Sequence, residues 1–291
     1  MMGELFSSGH TACAGCGMTN IIINILRAAG PDTIISNATS CSEIVSSQYP
    51  CSAWRVPYIH VAFECSAAVA SGIEAALKTQ NKKSNVIVIA GDGGTFDIGL
   101  QSLSGMVDRG HNVLYICYDN ECYANTGVQR SSATPHGAWT TTSPYGAEMH
   151  GNPAGKKPIA EMMAAQGCKY VATSSVAYPL DIQQKVKKAL AIEGPKFILI
   201  HQPCTLAWRY PPEKTVEIAR MAIDCGLWVL YEIENGKLKI TRRPSFRTGV
   251  KDYLKAQGRF SHLTDEEMEK IQEKAVGDWK RFEGLEKTTA A

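Results

Sequence analysis

Two sets of residues in this chain have the types and spacing for chemistry. Cys13-Ala-Gly-Cys16 presents two thiols with small residues between and after them, so that backbone amides can point at sulfur. Two cysteines cannot close a four-thiolate site. Cys41, in Ala38-Thr-Ser-Cys41-Ser-Glu43, and Cys204, in Gln202-Pro-Cys204-Thr, are the candidates to complete it, with Pro203 stiffening the loop that would carry the distant ligand. Spacing alone leaves structural zinc and a four-iron, four-sulfur cluster both open. The second set is Gly91-Asp92-Gly93-Gly94 with Asp119-Asn120 further on. A carboxylate and an amide oxygen are the hard ligands that magnesium takes alongside phosphate and water, and glycines beside a helix N-terminus admit phosphate oxygens close to backbone amides. A bare Gly-Asp-Gly is more often just a tight turn, so its context decides.

That context is a β–α–β unit. Val86-Ile-Val-Ile-Ala90 is a short apolar β-branched run, Gly91 to Gly94 follows, a helix-like stretch extends to about Arg109, and a second apolar run spans Val113 to Tyr118. In a parallel sheet this puts Asp92 and Asn120 at the carboxyl edge, where ligands bind. A helix over residues 18–29 starts directly after the cysteine loop and stops at Gly30-Pro31; an Ala-rich helix covers 66–78. Strand and helix candidates then alternate from Lys169 to Ile233, as expected of a doubly wound α/β fold. Residues 124–157 are polar and rich in Gly, Ser, Thr and Pro, a length that suggests a functional loop. Near the end, Thr264 and Glu267 form a capping box before the apolar stripe Met268, Ile271, Ala275, Trp279 and Phe282, so a terminal helix should dock on the body or on a partner.

The 291 residues are 44% hydrophobic, with 30 basic and 28 acidic side chains. That near balance leaves no broad positive field for nucleic acid or an anionic membrane, so neither is expected as a partner. No stretch approaches the ~20 continuous apolar residues of a membrane span, and Met1 to Gly9 lacks the charged and apolar regions of a leader, which together imply a cytoplasmic location. Ten cysteines in such a setting are not a disulfide framework. Beyond the four candidate ligands, Cys51, Cys65, Cys117, Cys122, Cys168 and Cys225 are expected to pack, with Cys51 and Cys65 close enough to the presumed cleft to touch substrate.

The distance from Gly91-Asp92-Gly93 to Asn120 across one helix and one strand resembles the thiamine-diphosphate fingerprint. That resemblance implies magnesium held by the Asp92 carboxylate, the Asn120 side chain and the main-chain carbonyl of Cys122. The likeness then extends along the chain: Gly9-His-Thr-Ala-Cys13-Ala-Gly-Cys16-Gly17, Tyr49-Pro50, Val69-Ala-Ser-Gly-Ile-Glu74, Gly91 to Gly105, Tyr118-Asp-Asn-Glu121, Asn125-Thr-Gly127, Gln129-Arg-Ser-Ser-Ala-Thr-Pro135 and Gln257-Gly-Arg-Phe260. Taken together these segments resemble the β subunits of 2-oxoacid:ferredoxin oxidoreductases of the pyruvate type. The resemblance implies a three-layer α/β/α thiamine-diphosphate-binding fold with a mostly parallel sheet. It implies one such domain over 1–291, with an N-terminal cluster loop and a helical extension from about 245. It also implies a four-iron, four-sulfur cluster on Cys13, Cys16, Cys41 and Cys204, and Asn125 as the catalytic residue over the thiazolium in contact with substrate. Pyrimidine-binding α, γ and ferredoxin-like δ subunits would complete the enzyme, and this chain alone should be inactive.

Cleaving a bond between a carboxylate and an adjacent carbonyl needs an electron sink, which thiamine supplies. A cluster beside it, drawing electrons off singly, turns decarboxylation into oxidation, with coenzyme A taking the acyl group and ferredoxin the electrons. The expected reaction is therefore reversible conversion of pyruvate to acetyl-CoA and CO2. Oxalate or a branched-chain 2-oxoacid is the alternative substrate, because Ser40, Cys65 and Thr205-Leu206-Ala207 depart from the pyruvate-type pattern. A thiamine-dependent lyase or transferase with structural zinc is the alternative chemistry. Asn125 also suits an Asx turn; Glu64, His60, Arg130 and His136 are secondary candidates for acid–base or anion-binding roles.

Overall fold

A strand points successive side chains to opposite faces, and the central strands here are apolar on both. In the computed structural model Val86, Val88 and Ala90 enter one core with Tyr115, Cys117, Phe197 and Leu199, while Ile87 and Ile89 enter a second with Leu114, Ile116, Ile198 and Ile200. A sheet with two apolar faces must be covered twice, and helices cover both.

The structure describes residues 4–290; Met1 to Gly3, part of the stretch expected to carry no leader, and Ala291 lie outside the described residues. Along the described chain run α1 (Gly17–Ala29), β1 (Thr33–Ala38), α2 (Cys41–Ile44), β2 (Tyr58–Val61), α3 (Ser66–Thr79), β3 (Asn85–Gly91), a π-helical turn (Gly93–Asp97), α4 (Leu100–Asp108), β4 (Leu114–Asp119), α5 (Ile159–Ala165) and β5 (Tyr170–Ser175). Then follow α6 (Pro179–Leu190), β6 (Lys196–His201), α7 (Thr205–Trp208), α8 (Thr215–Asp224), β7 (Leu230–Glu234), β8 (Lys237–Arg242), α9 (Val250–Lys255) and α10 (Asp265–Ala290). The eight strands form one sheet in the order β2-β1-β3-β4-β6-β5-β7-β8. The first six are mutually parallel; β7 and β8 run antiparallel at one edge.

Helices α1 and α6 pack against each other over one face, through Ile21, Ile22, Ile25 and Leu26 against Ile182, Val186 and Ala189. The other face is covered by α3, α4 and α5, with α9 and α10 beyond. Helix α1 stops where Gly30 takes φ 79° and donates its N–H to the Leu26 carbonyl. The expected capping box is present, Thr264 N–H donating to Glu267 at 2.7 Å and Glu267 N–H to Thr264 Oγ1 at 3.3 Å. The stripe it precedes buries Met268, Ala275, Trp279 and Phe282 against α9 and β8, so the terminal helix docks on the body. Among the described residues no helix is long and apolar enough to cross a membrane.

Candidate functional site

Four neighbouring parallel strands, β1, β3, β4 and β6, end at the same edge, and each leads into one of the residues singled out above: Cys41, Asp92, Asn120 and Cys204. The register keeps the ends level, with Gly91 opposite Tyr118 and Asp119 opposite His201. The inner pair of strands carries the oxygen ligands and the outer pair carries two of the thiols.

At the inner pair Asp92 is buried and accepts hydrogen bonds from the Asn120 N–H at 3.3 Å and from Ser131 Oγ. The tip of the Asn120 amide lies 3.1 Å from Asp92 Oδ1 and 2.7 Å from the Cys122 carbonyl oxygen. With its NH2 inward, the amide bridges those two acceptors. With its oxygen inward, those two separations are close to the ~3 Å edge of an octahedron whose metal–oxygen bonds are ~2.0–2.1 Å. The donor set thus fits magnesium. Burial and the nearby Asp119 push the Asp92 carboxyl well above the ordinary range, a penalty that a bound cation reverses.

The glycines divide their work. A Cβ on Gly93 would lie 2.2 Å from the Tyr123 ring, and one on Gly99 would lie 2.0 Å from the Gly94 carbonyl oxygen, so these two are glycine because the protein packs on itself there. Gly91 and Gly94 would meet neighbours only at ordinary contact distances, which leaves close approach to phosphate as their distinctive opportunity. The helix expected after them begins as a π-helical turn, in which Thr95 Oγ1 donates to the Gly91 carbonyl at 2.8 Å; such wide turns recur at functional sites.

The thiols lie on three separate segments. Cys16 is the N-cap residue of α1 and Cys204 that of α7, where the nearby amides of Met18 and Thr19, and of Leu206 and Ala207, favour the thiolate forms; Cys41 opens α2. Gly15, at φ 72°, lies so tightly on the Pro212 carbonyl that a Cβ would stand 2.2 Å from its oxygen, and Thr215 Oγ1 donates to the Gly15 carbonyl at 2.6 Å. The N-terminal thiol loop is thereby pinned to the segment following Cys204. Burial pushes the Cys16 thiol up to about 11 and the Cys41 thiol up to about 12, and the other thiols of the set reinforce both shifts. Cys13 is exposed. Among the described residues no three His, Cys, Asp or Glu side chains stand close enough to share one metal ion.

One cleft brings Cys41 and Phe63 together with Asp92, Asn120, Cys122 and Asn125, while Cys13, Cys16 and Cys204 are not part of its lining. Asn125 is exposed there and makes no side-chain hydrogen bond among the described residues, so it forms no Asx turn. Glu64 is exposed; His60 bonds Thr39 Oγ1 at 2.7 Å; Arg130 Nε donates to Asn152 at 2.8 Å and His136 contacts the Pro153 carbonyl at 3.2 Å, so none of the four lines this cleft. Cys117, Cys122, Cys168 and Cys225 are buried, whereas Cys51 is exposed and Cys65 half-buried.

The segments 129–135 and 257–260 contribute residues that, Arg130 apart, had no expected role. Ser131 reaches Asp92, Thr134 Oγ1 donates to the Glu121 carbonyl at 2.7 Å, and Arg259 pairs with Glu121 at 2.7 Å. Trp208 Nε1 donates to the Asn120 carbonyl at 2.8 Å. These residues surround the metal-ligand loop from sequence positions whose proximity only the fold creates.

Comparison with known proteins matches residues 38–200 to the family described as thiamine pyrophosphate enzyme, C-terminal TPP binding domain. The chain is 56% identical to pyruvate synthase subunit PorB of Methanocaldococcus jannaschii, over 92% of this chain and 93% of that protein. It is 46% identical to ketoisovalerate oxidoreductase subunit VorB of Pyrococcus abyssi, over 97% and 92%. A solved 2-oxoglutarate:ferredoxin oxidoreductase from Magnetococcus marinus is similar at a TM-score of 0.60 and 23% identity, over 74% of this chain and 79% of that one, a likeness of fold.

Proposed function

This chain belongs to the pyruvate synthase PorB family, thiamine-diphosphate-dependent subunits of 2-oxoacid:ferredoxin oxidoreductases, and from that premise we propose that it acts on pyruvate, with Mg2+ on Asp92, Asn120 and the Cys122 carbonyl and a four-iron, four-sulfur cluster on Cys13, Cys16, Cys41 and Cys204. What supports this assignment most is the shared cleft, in which a candidate cluster thiol, Cys41, faces the candidate metal oxygens. Bound thiamine diphosphate supplies the electron sink that decarboxylation requires.

The protein's own groups have separate tasks. Asp92 and Asn120 hold the cation that anchors the diphosphate, and the amides around Gly91 and Gly94 receive its oxygens. Asn125 presents an uncommitted amide to the substrate side of the cleft. Phe63 and Tyr123, with ring centres 6.2 Å apart, form an apolar wall that limits water. A cluster held by the four thiols would supply a one-electron exit toward ferredoxin, with coenzyme A as the acyl acceptor. A pyrimidine-binding α subunit faces the cleft, with γ and ferredoxin-like δ subunits completing the enzyme.

A branched-chain 2-oxoacid is the second reading. The ketoisovalerate relative is as similar, at 46%, as pyruvate synthase subunit PorB of Pyrococcus horikoshii. An anaerobic assay of the complete complex with pyruvate, 2-oxoisovalerate, oxalate and 2-oxoglutarate, each with and without coenzyme A, decides between them. Pyruvate should give the highest kcat/KM and require coenzyme A; preference for 2-oxoisovalerate would overturn the pyruvate assignment.

A further inference from the structure

Glu121 stands between Asn120 and Cys122 yet turns away from the cleft those residues line, into a separate cavity of about 940 Å³. Its backbone has φ 65°, a left-handed conformation that strains any residue but glycine. Each of its polar groups is engaged. The N–H donates to Asp119 Oδ1 at 3.0 Å, the carbonyl accepts from Thr134, and the carboxylate accepts from Lys156 Nζ at 2.9 Å and Arg259 Nη2 at 2.7 Å. Lys156 is braced by Asp119 at 2.6 Å. Arg259 is braced by Gln257 at 2.9 Å and by the Trp208 ring, 3.6 Å from its guanidinium carbon, and that same Trp208 holds the Asn120 carbonyl. A strained residue held from every side, directly between two ligand residues, is a means of fixing loop direction.

A buried ion cluster is weak evidence for stability, because desolvation offsets most of the attraction. Supporting groups around a metal, by contrast, commonly control its affinity. We propose that Glu121, clamped by Lys156 and Arg259, positions the Asn120 and Cys122 oxygens for the cation, so that metal affinity depends on three residues that never touch it. This rests on the magnesium site proposed above.

The test uses the complete complex and reads the Mg2+ concentration at which thiamine diphosphate is half retained. Glu121→Gly keeps the left-handed backbone comfortable while removing the carboxylate; Glu121→Gln keeps the shape and a weaker bond to Arg259. Positioning predicts a requirement rising in the order wild type, Gln, Gly, by ten- to a hundredfold at the end of the series. It also predicts unchanged iron content and full retention restored at saturating Mg2+. Variants with the wild-type requirement, or losses that track a fallen thermal midpoint of the metal-free complex and are not rescued by Mg2+, would overturn the clamp. A wild-type complex whose thiamine retention ignores Mg2+ would instead refute the site assignment itself.

Discussion

At the ends of β3 and β4 the oxygens suited to a cation are already gathered and buried, whereas two thiols sit half-buried after β1 and β6, a third is half-buried at the start of α1 and the fourth is exposed on the N-terminal loop. Around Asp92 the hydrogen bonds come from Ser131, Asn120 and, at one remove, Thr134, Trp208, Lys156 and Arg259. Around the thiols the groups are backbone amides and one glycine contact. The difference matches what the proposed occupants would require. A small hard ion kept by few protein ligands needs them placed beforehand, since magnesium tolerates little deviation from its octahedron. A cluster carries its own rigid core, and separate loops can close on it.

The largest effect expected from this contrast is that of Asp92→Ala. Removing the only carboxylate of the oxygen trio should weaken Mg2+-dependent thiamine retention by more than the ~10–100-fold typical of a lost supporting residue. Iron should stay, and the two contents measured on one purified sample check both halves of the statement. Loss of iron in that variant would show that the two sites are one cooperative unit.

Cys204→Ser should do the reverse. Iron and sulfide should drop from about four each per chain toward zero, while thiamine retention at saturating Mg2+ remains, because the oxygen trio does not depend on the thiols for its geometry. A lesser effect is expected of Ser131→Ala, which removes one donor to Asp92 and leaves every proposed ligand. The Mg2+ requirement should rise within the ~10–100-fold range, with iron unchanged. Calorimetric titration of the complex with Mg2+ at fixed thiamine diphosphate gives the value.

The smallest effect is one of pH. The Cys16 and Cys41 thiols are pushed up to about 11 and about 12, chiefly by burial, so in the iron-free chain they are protonated at neutrality. Cluster assembly must release those protons, and its extent should therefore increase as pH rises from 7 to 9. Anaerobic reconstitution followed by visible absorption tests the sign; a decrease over that interval would count against buried thiols as the ligands.

The inner half of the site was legible because its signals are local. A β-branched run, Gly-Asp-Gly, a helix and a second run ending in Asp-Asn occupy 35 consecutive positions, 86 to 120, and place both residues on one sheet edge. The outer half was not: Cys41 and Cys204 are joined by the strand order β1-β3-β4-β6, which spacing does not reveal, and they stood only as candidates until the resemblance singled them out as cluster ligands. Strands β1 and β2 escaped notice because Thr33–Ala38 and Tyr58–Val61 are short, and polar groups such as Ser36, Asn37 and His60 interrupt their apolar pattern. The β7–β8 hairpin carried a readable signal that went unused, Asn235-Gly236, whose φ values of 49° and 79° are those of the turn that such a pair favours. The Glu121 clamp draws on positions 121, 156 and 259, and nothing short of the fold unites them.

The claim on which everything else depends is that the thiol set is a redox partner of the magnesium-anchored site. It is tested most directly by adding pyruvate, without ferredoxin, to the anaerobic complex and recording iron–sulfur reduction by electron paramagnetic resonance. Wild-type protein should show a reduced-cluster signal that requires both Mg2+ and thiamine diphosphate and is missing in Cys204→Ser, although that variant still holds thiamine. The same signal in Cys204→Ser, or zinc in place of iron on the purified wild-type chain, would contradict the account.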